Sequence, residues 1–157
     1  MWEVLGESEL KAEASQTEHP VGKELTGRIL IVDDDPHFLR VLSRILSGEK
    51  FQVTSAGEAC EAIELLHASS FDLVICDLRM PECDGLNLLQ EVRRGGSAVP
   101  VIILTAYGEV DTYLEAMNAG AAEYLIKPIN SDELLKIVRS CLHNRNARQN
   151  NRRANSA

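Results

Sequence analysis

The sequence predicts an α/β protein built on a doubly wound, five-stranded parallel sheet with helices on both faces, and three observations carry that expectation. Short apolar runs, largely β-branched and without polar alternation, occur at Ile29-Leu30-Ile31-Val32, Leu73-Val74-Ile75-Cys76, Val101-Ile102-Ile103-Leu104 and Tyr124-Leu125-Ile126, the pattern of strands buried on both faces. Segments with helical spacing of apolar residues alternate with them. Each run leads into a polar residue, Asp33-Asp34, Asp77, Thr105 and Lys127-Pro128 in turn, and the carboxyl ends of such strands are where open α/β sheets place their sites.

The elements follow in order. After strand 29–32, Asp35 and Pro36 read as an N-cap with proline at the first helical position, and Phe38, Val41, Leu42 and Ile45 supply the apolar face of a helix that stops at Gly48. Phe51 to Ser55 is a second strand, residues 58–68 a helix with Ala59, Ala62, Ile63 and Leu66 inward, and 72–76 a third strand. A loop with Met80-Pro81 and Asp84-Gly85 leads into helix 85–94, which ends at Gly95-Gly96 before strand 100–104. Helix 109–118 stops at Asn118-Ala119-Gly120 and strand 122–126 follows. Asn130 with Glu133 three residues on is a capped start for the last helix, 130–142, whose apolar face is Leu134, Val138, Cys141 and Leu142.

Right-handed crossovers leave 2-1-3-4-5 and 3-2-1-4-5 as the obvious strand orders. The first is favoured by the chemistry. It makes strands 1 and 3 neighbours at about 4.8 Å, so that Asp33, Asp34 and Asp77 share an edge with Thr105 beside them and Lys127 reaching back.

With 157 residues, 45% of them apolar, the chain supports one domain with a proper core, flanked by two polar ends. Residues 1–27 carry six acids against two lysines and read as an acidic, mostly disordered lead. Residues 28–142 form the domain, with ten basic side chains against eighteen acidic. Residues 143–157 carry four arginines, no acid and no apolar periodicity, and read as a frayed basic tail or a truncated linker. An acidic body argues against nucleic-acid binding. The longest apolar run is too short to cross a bilayer and the N-terminus lacks the apolar core of a signal peptide, so a cytoplasmic protein is expected. Cys60, Cys76, Cys83 and Cys141 form no CxxC pair or His/Cys cluster and are expected as reduced thiols.

Three carboxylates crowded at one edge repel one another and would partly protonate unless a cation neutralised them. Magnesium, which favours carboxylate and phosphate oxygens with retained waters, suits such a pocket. Asp35 alone is assigned to helix capping. A carboxylate can act as the nucleophile in phosphoryl transfer, which makes Asp77 a candidate for an aspartyl phosphate. Thr105 offers a hydroxyl to a phosphoryl oxygen, Ala106 leaves room beside it, and Lys127 supplies a point charge whose direction Pro128 constrains.

These residues resemble those of a receiver domain of a bacterial two-component response regulator over 28–142. The resemblance is carried by Asp33-Asp34, Asp77 with Met80-Pro81 and Gly85 behind it, Thr105-Ala106, and Tyr124 three residues before Lys127-Pro128. Leu-Thr-Ala-Tyr-Gly-Glu-Val at 104–110 and Ala-Met-Asn-Ala-Gly-Ala at 116–121 are similar to receivers of NtrC-like regulators, which usually continue into an ATPase and a DNA-binding domain; no such output domain is expected in these 157 residues. The resemblance implies that Asp34 and Asp77 contact magnesium directly, Asp33 mainly through water, and the backbone carbonyl of Arg79 completes the protein's ligands. Thr105 and Lys127 would hold the phosphoryl group. The donor would be a phosphohistidine on a sensor histidine kinase or phosphotransfer protein, replaceable by acetyl phosphate.

No enzyme activity on an outside substrate is expected, only self-phosphorylation and self-dephosphorylation. Arg79 and Tyr107, two residues beyond Asp77 and Thr105, are expected to flank the path of the hydrolytic water. Phosphorylation is expected to draw Thr105 toward the phosphoryl group and let Tyr124 turn inward. That would alter helix 109–118, strand 122–126 and helix 130–142, a surface for an unknown downstream protein or a homodimer. Two alternatives compete with this reading. Asp33-Asp34-Asp35, with Leu104-Thr105 and Lys127, also fits a haloacid-dehalogenase-like phosphatase, but no acidic pair follows Lys127, no cap insertion is evident and Asp77 would go unused. A degenerate receiver that only binds partners is opposed by the complete residue set.

Overall fold

The computed structural model describes residues 26–156. Its elements are β1 (Arg28–Val32), α1 (Pro36–Gly48), β2 (Gln52–Ala56), α2 (Ala59–Ala68), β3 (Leu73–Cys76), α3 (Gly85–Arg94), β4 (Val101–Thr105), α4 (Val110–Asn118), β5 (Glu123–Ile126) and α5 (Ser131–Asn155). All strand pairs are parallel and the order is β2-β1-β3-β4-β5. This is the flavodoxin-like order expected from the chemistry of the strand ends.

Successive side chains of a strand point to opposite faces, and each face has its own core. Leu30, Val32, Val74, Cys76 and Ile103 pack with Ala59, Ala62, Leu88, Leu89, Val92 and Ala116, so α2, α3 and α4 lie on one face. Ile29, Ile31, Leu73, Ile75, Ile102 and Leu104 pack with Leu42, Leu46, Leu134, Leu135, Val138 and Leu142, so α1 and α5 cover the other. The unalternated sequences of β1, β3 and β4 follow from this double burial, whereas the same expectation fails for β5, an edge strand in which Tyr124 and Leu125 are only half-buried and Ile126 is 54% exposed.

Local signals hold at the helix ends. The Asp35 side chain accepts from the His37 N–H with Pro36 in the first turn of α1, Asp84 accepts from the Asn87 N–H at the start of α3, and Asn130 accepts from the Asp132 and Glu133 N–H groups at the start of α5. Gly96 and Gly120 close α3 and α4 with φ of +81° and +97°, conformations that glycine adopts without strain.

Two further expectations are corrected. Val41 sits at helical spacing with Leu42 and Ile45, yet it is 43% exposed and Leu46 takes its place in the core. The polar segment 143–155 is not frayed but continues α5 through Asn155. It contains no Gly or Pro, Arg145 pairs with Asp72 one turn beyond Leu142, and Arg152 and Arg153 lie in the last turn where the helix dipole favours cations. The acidic lead falls outside the described residues up to residue 25. Gly27 already belongs to the domain, because its carbonyl accepts from the Gln52 N–H. No helix among the described residues is long and apolar enough to cross a membrane. All four cysteines are free thiols.

Candidate functional site: a carboxylate cluster with a bridging lysine

Strand register builds the site. Val32 of β1 lies opposite Cys76 of β3, and the Asp77 N–H donates to the Val32 carbonyl at 2.9 Å, so Asp33 and Asp77 leave adjacent strands side by side. On the other flank, Lys127 donates its N–H to the Thr105 carbonyl at 2.7 Å as β5 ends, and its peptide bond to Pro128 is cis. Four of the residues singled out by the sequence thus emerge at one edge.

Asp33 is 2% exposed and fully engaged: Oδ1 accepts from the Asp35 N–H at 2.9 Å and Oδ2 from Lys127 Nζ at 2.7 Å. Asp77 is held more loosely, with Oδ1 accepting from the Arg79 N–H at 3.3 Å and Oδ2 from Lys127 Nζ at 3.4 Å. Lys127 therefore bridges the two acids. Asp34 is exposed, and Asp33, Asp34 and Asp77 can each present an oxygen within 4.8 Å of the other two. That is a spacing at which one hard divalent cation can collect them.

The carboxyl of Asp77 is pushed above its ordinary range by burial and then by the charge of Asp33, while Lys127 and the Arg79 N–H pull it back. The result is a carboxylate whose oxygens are more basic than those of a solvated aspartate. A further cation at this spot would relieve both destabilising effects, which is how the donor set fits a metal.

Thr105 is completely buried, and its Oγ1 accepts from the Tyr107 N–H at 3.1 Å. Arg79 extends over Tyr107, its Cζ 5.9 Å from the ring centroid. Tyr124 is half-buried on β5, its hydroxyl 3.1 Å from the Tyr107 carbonyl and 2.8 Å from Thr112 Oγ1, with its ring edge-on to Tyr113 at 5.6 Å. Gly85 starts α3 directly beneath the site. A Cβ there would meet the Asp77 carbonyl oxygen at 2.3 Å, so the position admits no side chain unless α3 or the Asp77 peptide shifts.

Two participants escaped sequence reasoning. Phe38, assigned only to the apolar face of its helix, lies with its ring centroid 3.9 Å from Lys127 Nζ. Thr112 is the hydroxyl partner of Tyr124. The position of Phe38 in the first turn after the acidic pair was the one available signal, since that turn must lie near the carboxyl edge of β1.

The family model of the response regulator receiver domain matches residues 29–139. The chain is 42% identical over 118 residues to the transcriptional regulatory protein ZraR of Klebsiella oxytoca, covering 74% of this chain and 27% of that protein. It is 43% identical over 115 residues to the regulatory protein AtoC of Escherichia coli K12, covering 73% and 25%. The chain thus spans about a quarter of the length of these curated relatives. Among solved structures, the CheY-like response regulator receiver domain protein of Methanospirillum hungatei JF-1 superposes with a TM-score of 0.75 at 30% identity, over 77% of this chain and 97% of that one. Relatives, fold and a match running from β1 into the last helix agree, and the chain belongs to the response regulator receiver domain family of two-component systems, a family of phosphorylation-dependent regulators rather than of enzymes.

Proposed function

We propose that Asp77 accepts a phosphoryl group from a phosphohistidine of a sensor histidine kinase or phosphotransfer protein, with acetyl phosphate as a small substitute. An Asp77 oxygen forms a bond to phosphorus as the P–N bond of the phosphohistidine, or the P–O bond of acetyl phosphate, breaks. The observation that carries this reading is the Lys127 ammonium bridging buried Asp33 and Asp77, because it puts a cation where a phosphoryl group on Asp77 would need one. Asp34 and Asp77 directly, Asp33 through water and the Arg79 backbone carbonyl would hold magnesium, which when bound would shield the carboxylates from the incoming phosphoryl oxygens. Lys127 and Thr105 hold the phosphoryl oxygens, Thr105 as a neutral donor.

The output surface lies on α4, β5 and the first turns of α5. Val110 is 74% exposed and Ile126 54%, and Tyr113 and Leu114 are also exposed, so a face in reach of Thr105 and Tyr124 is unusually apolar. That face takes a downstream protein or a second copy of the chain. The relatives ZraR and AtoC are named as regulatory proteins, which favours a place upstream of transcriptional output, in the cytoplasm and without direct nucleic-acid contact by this acidic domain. The phosphatase alternative leaves Asp77 unused, and the degenerate alternative leaves the intact cluster unexplained.

Incubation with acetyl phosphate and magnesium, followed by intact mass, tests the proposal. A single added phosphoryl group is expected in the wild type and none in Asp77→Asn. Undiminished labelling of Asp77→Asn would sink the assignment, and phosphate release with turnover would point to the phosphatase.

A further inference from the structure

Lys127 Nζ has three partners: Asp33 Oδ2 at 2.7 Å, Asp77 Oδ2 at 3.4 Å and the Phe38 ring at 3.9 Å from its centroid. The first two are acids that the proposed function also assigns to a divalent cation, Asp77 directly and Asp33 through water, so the cation would compete with the ammonium for Asp77 and repel it from the cluster. The third partner cannot ligate a hard cation. Its attraction for an ammonium comes from the ring quadrupole and persists when the carboxylates are engaged. Phe38 is also rigidly placed. It lies in the first turn of α1, whose start is fixed by the Asp35 cap and Pro36, and it packs against the core formed with Leu42 and Leu46.

We propose that Phe38 is a positioning residue for phosphoryl transfer, its ring holding the Lys127 ammonium at Asp77 while the acidic cluster is occupied. The inference rests on the function proposed above, in which Lys127 serves the phosphoryl group. A leucine at this position keeps apolar bulk against the core and removes the quadrupole. A tyrosine keeps both.

Two measurements test it. In the first, the rate of Asp77 phosphorylation by acetyl phosphate with magnesium is measured in a double-mutant cycle. Phe38→Leu is expected to slow uptake about fivefold in the wild-type background, the factor matching a partly desolvated cation–π contact; it should cause no further loss in Lys127→Ala, and Phe38→Tyr should restore the rate. An equal loss in both backgrounds makes Phe38 merely structural and overturns the proposal. In the second, the Lys127 Cε proton signals are recorded with magnesium and beryllofluoride, a phosphoryl mimic. They are expected upfield in the wild type from the ring current and shifted to the ordinary lysine position in Phe38→Leu. Signals that do not move on removing the ring overturn the proposal, whatever the rates. Should Lys127→Ala take up too little phosphate for a ratio, the lysine signals decide alone. Failure of the underlying function is recognisable separately, since the wild type itself would then take up no phosphate.

Discussion

The Tyr124 hydroxyl lies 3.1 Å from the carbonyl oxygen of Tyr107, to which it donates, and the N–H of the same Tyr107 is bonded to Thr105 Oγ1 at 3.1 Å. The loop after β4 is thereby tied to the buried threonine at one end and to β5 at the other. The Tyr124 hydroxyl also meets Thr112 Oγ1 on α4, whose own proton has the Glu109 carbonyl as a further acceptor at 2.9 Å. Two hydroxyl protons serve three contacts, so this small network has more than one satisfied arrangement and can be switched by a local change.

The first prediction follows from that network. A phosphoryl group on Asp77 brings about one to two added negative charges and new acceptor oxygens. Thr105 moving toward them gives up the Tyr107 N–H, which frees the loop and with it Tyr124. A ligand shifts such a balance only by its differential affinity for the two states. Thr105→Ala should therefore still accept phosphate at Asp77 but lose most of the chemical-shift change that magnesium and beryllofluoride produce across residues 109–142. Tyr124→Phe, which keeps the ring and removes the proton, should retain part of it. The same changes in wild type and Thr105→Ala would mean that the coupling bypasses Thr105.

The second prediction concerns stability against pH in the metal-free protein. Folding raises the Asp77 pKa, through burial and the charge of Asp33, so the stabilising contribution is present below the unfolded carboxylate value of about 4 and is lost as pH rises through the folded value. At neutral pH the ionised carboxylate is a net cost. Asp77→Asn should then be more stable than wild type in EDTA by up to about 1 kcal/mol, the upper end for a charge interaction screened by solvent. The advantage should vanish near pH 3. Urea unfolding at several pH values measures it, and an Asn variant less stable at pH 7 would show that the Lys127 pairing outweighs the repulsion.

Much of this site was legible because its residues terminate strands. A run buried on both faces has no polar residue until it ends, so Asp33, Asp77 and Thr105 declare both the strand boundary and the sheet edge at once, and Lys127 marks the end of β5 although that edge strand is partly exposed. The strand order could be chosen because only one candidate brings Asp33 beside Asp77. Phe38 was not legible in its role, since helical spacing says which side of a helix is apolar and not what polar atom rests upon it. Val41 shows the same limit from the other side. The extension of α5 was missed because apolar periodicity served as the sign of a helix. Residues 143–155 are polar all round and are anchored through Arg145 to Asp72, a partner 73 positions away that no local pattern reveals.

The third prediction concerns the lifetime of the aspartyl phosphate. Arg79 and Tyr107 meet in a cation–π contact at 5.9 Å, and Tyr107 is otherwise 59% exposed. Arg79 and Tyr107 follow Asp77 and Thr105 by two positions, and the pair is expected to flank the path of the hydrolytic water. Replacing both with serine should shorten the phosphoryl half-life several-fold, the scale of losing a contact of about 0.5–1 kcal/mol at an exposed site. The magnesium-dependent rate of phosphorylation should change much less. Loss of phosphate followed by intact mass measures this, and an unchanged half-life would count against shielding.

The last prediction concerns Gly85. Its N–H donates to the Leu78 carbonyl at 2.9 Å while its Cα stands so close to Asp77 that an added Cβ would meet the Asp77 carbonyl oxygen at 2.3 Å and Cys76 Sγ at 3.2 Å. The obstructing atom is backbone and cannot rotate away. Either α3 or the peptide after β3 must move, at a cost of about 1–3 kcal/mol for overpacking. Movement of the peptide carries the Asp77 carboxylate with it, and a misplacement approaching 1 Å costs about a hundredfold in a positioned reaction. Gly85→Ala should accordingly lower the thermal midpoint and slow acetyl phosphate uptake by more than tenfold. Gly48→Ala is the control, because no atom lies within 4 Å of a Cβ at that helix end. It should leave uptake unchanged and stabilise the fold by about 0.5–1 kcal/mol through reduced unfolded-state entropy. If Gly85→Ala folds and accepts phosphate like the wild type, the close packing of α3 against Asp77 is not what positions the carboxylate.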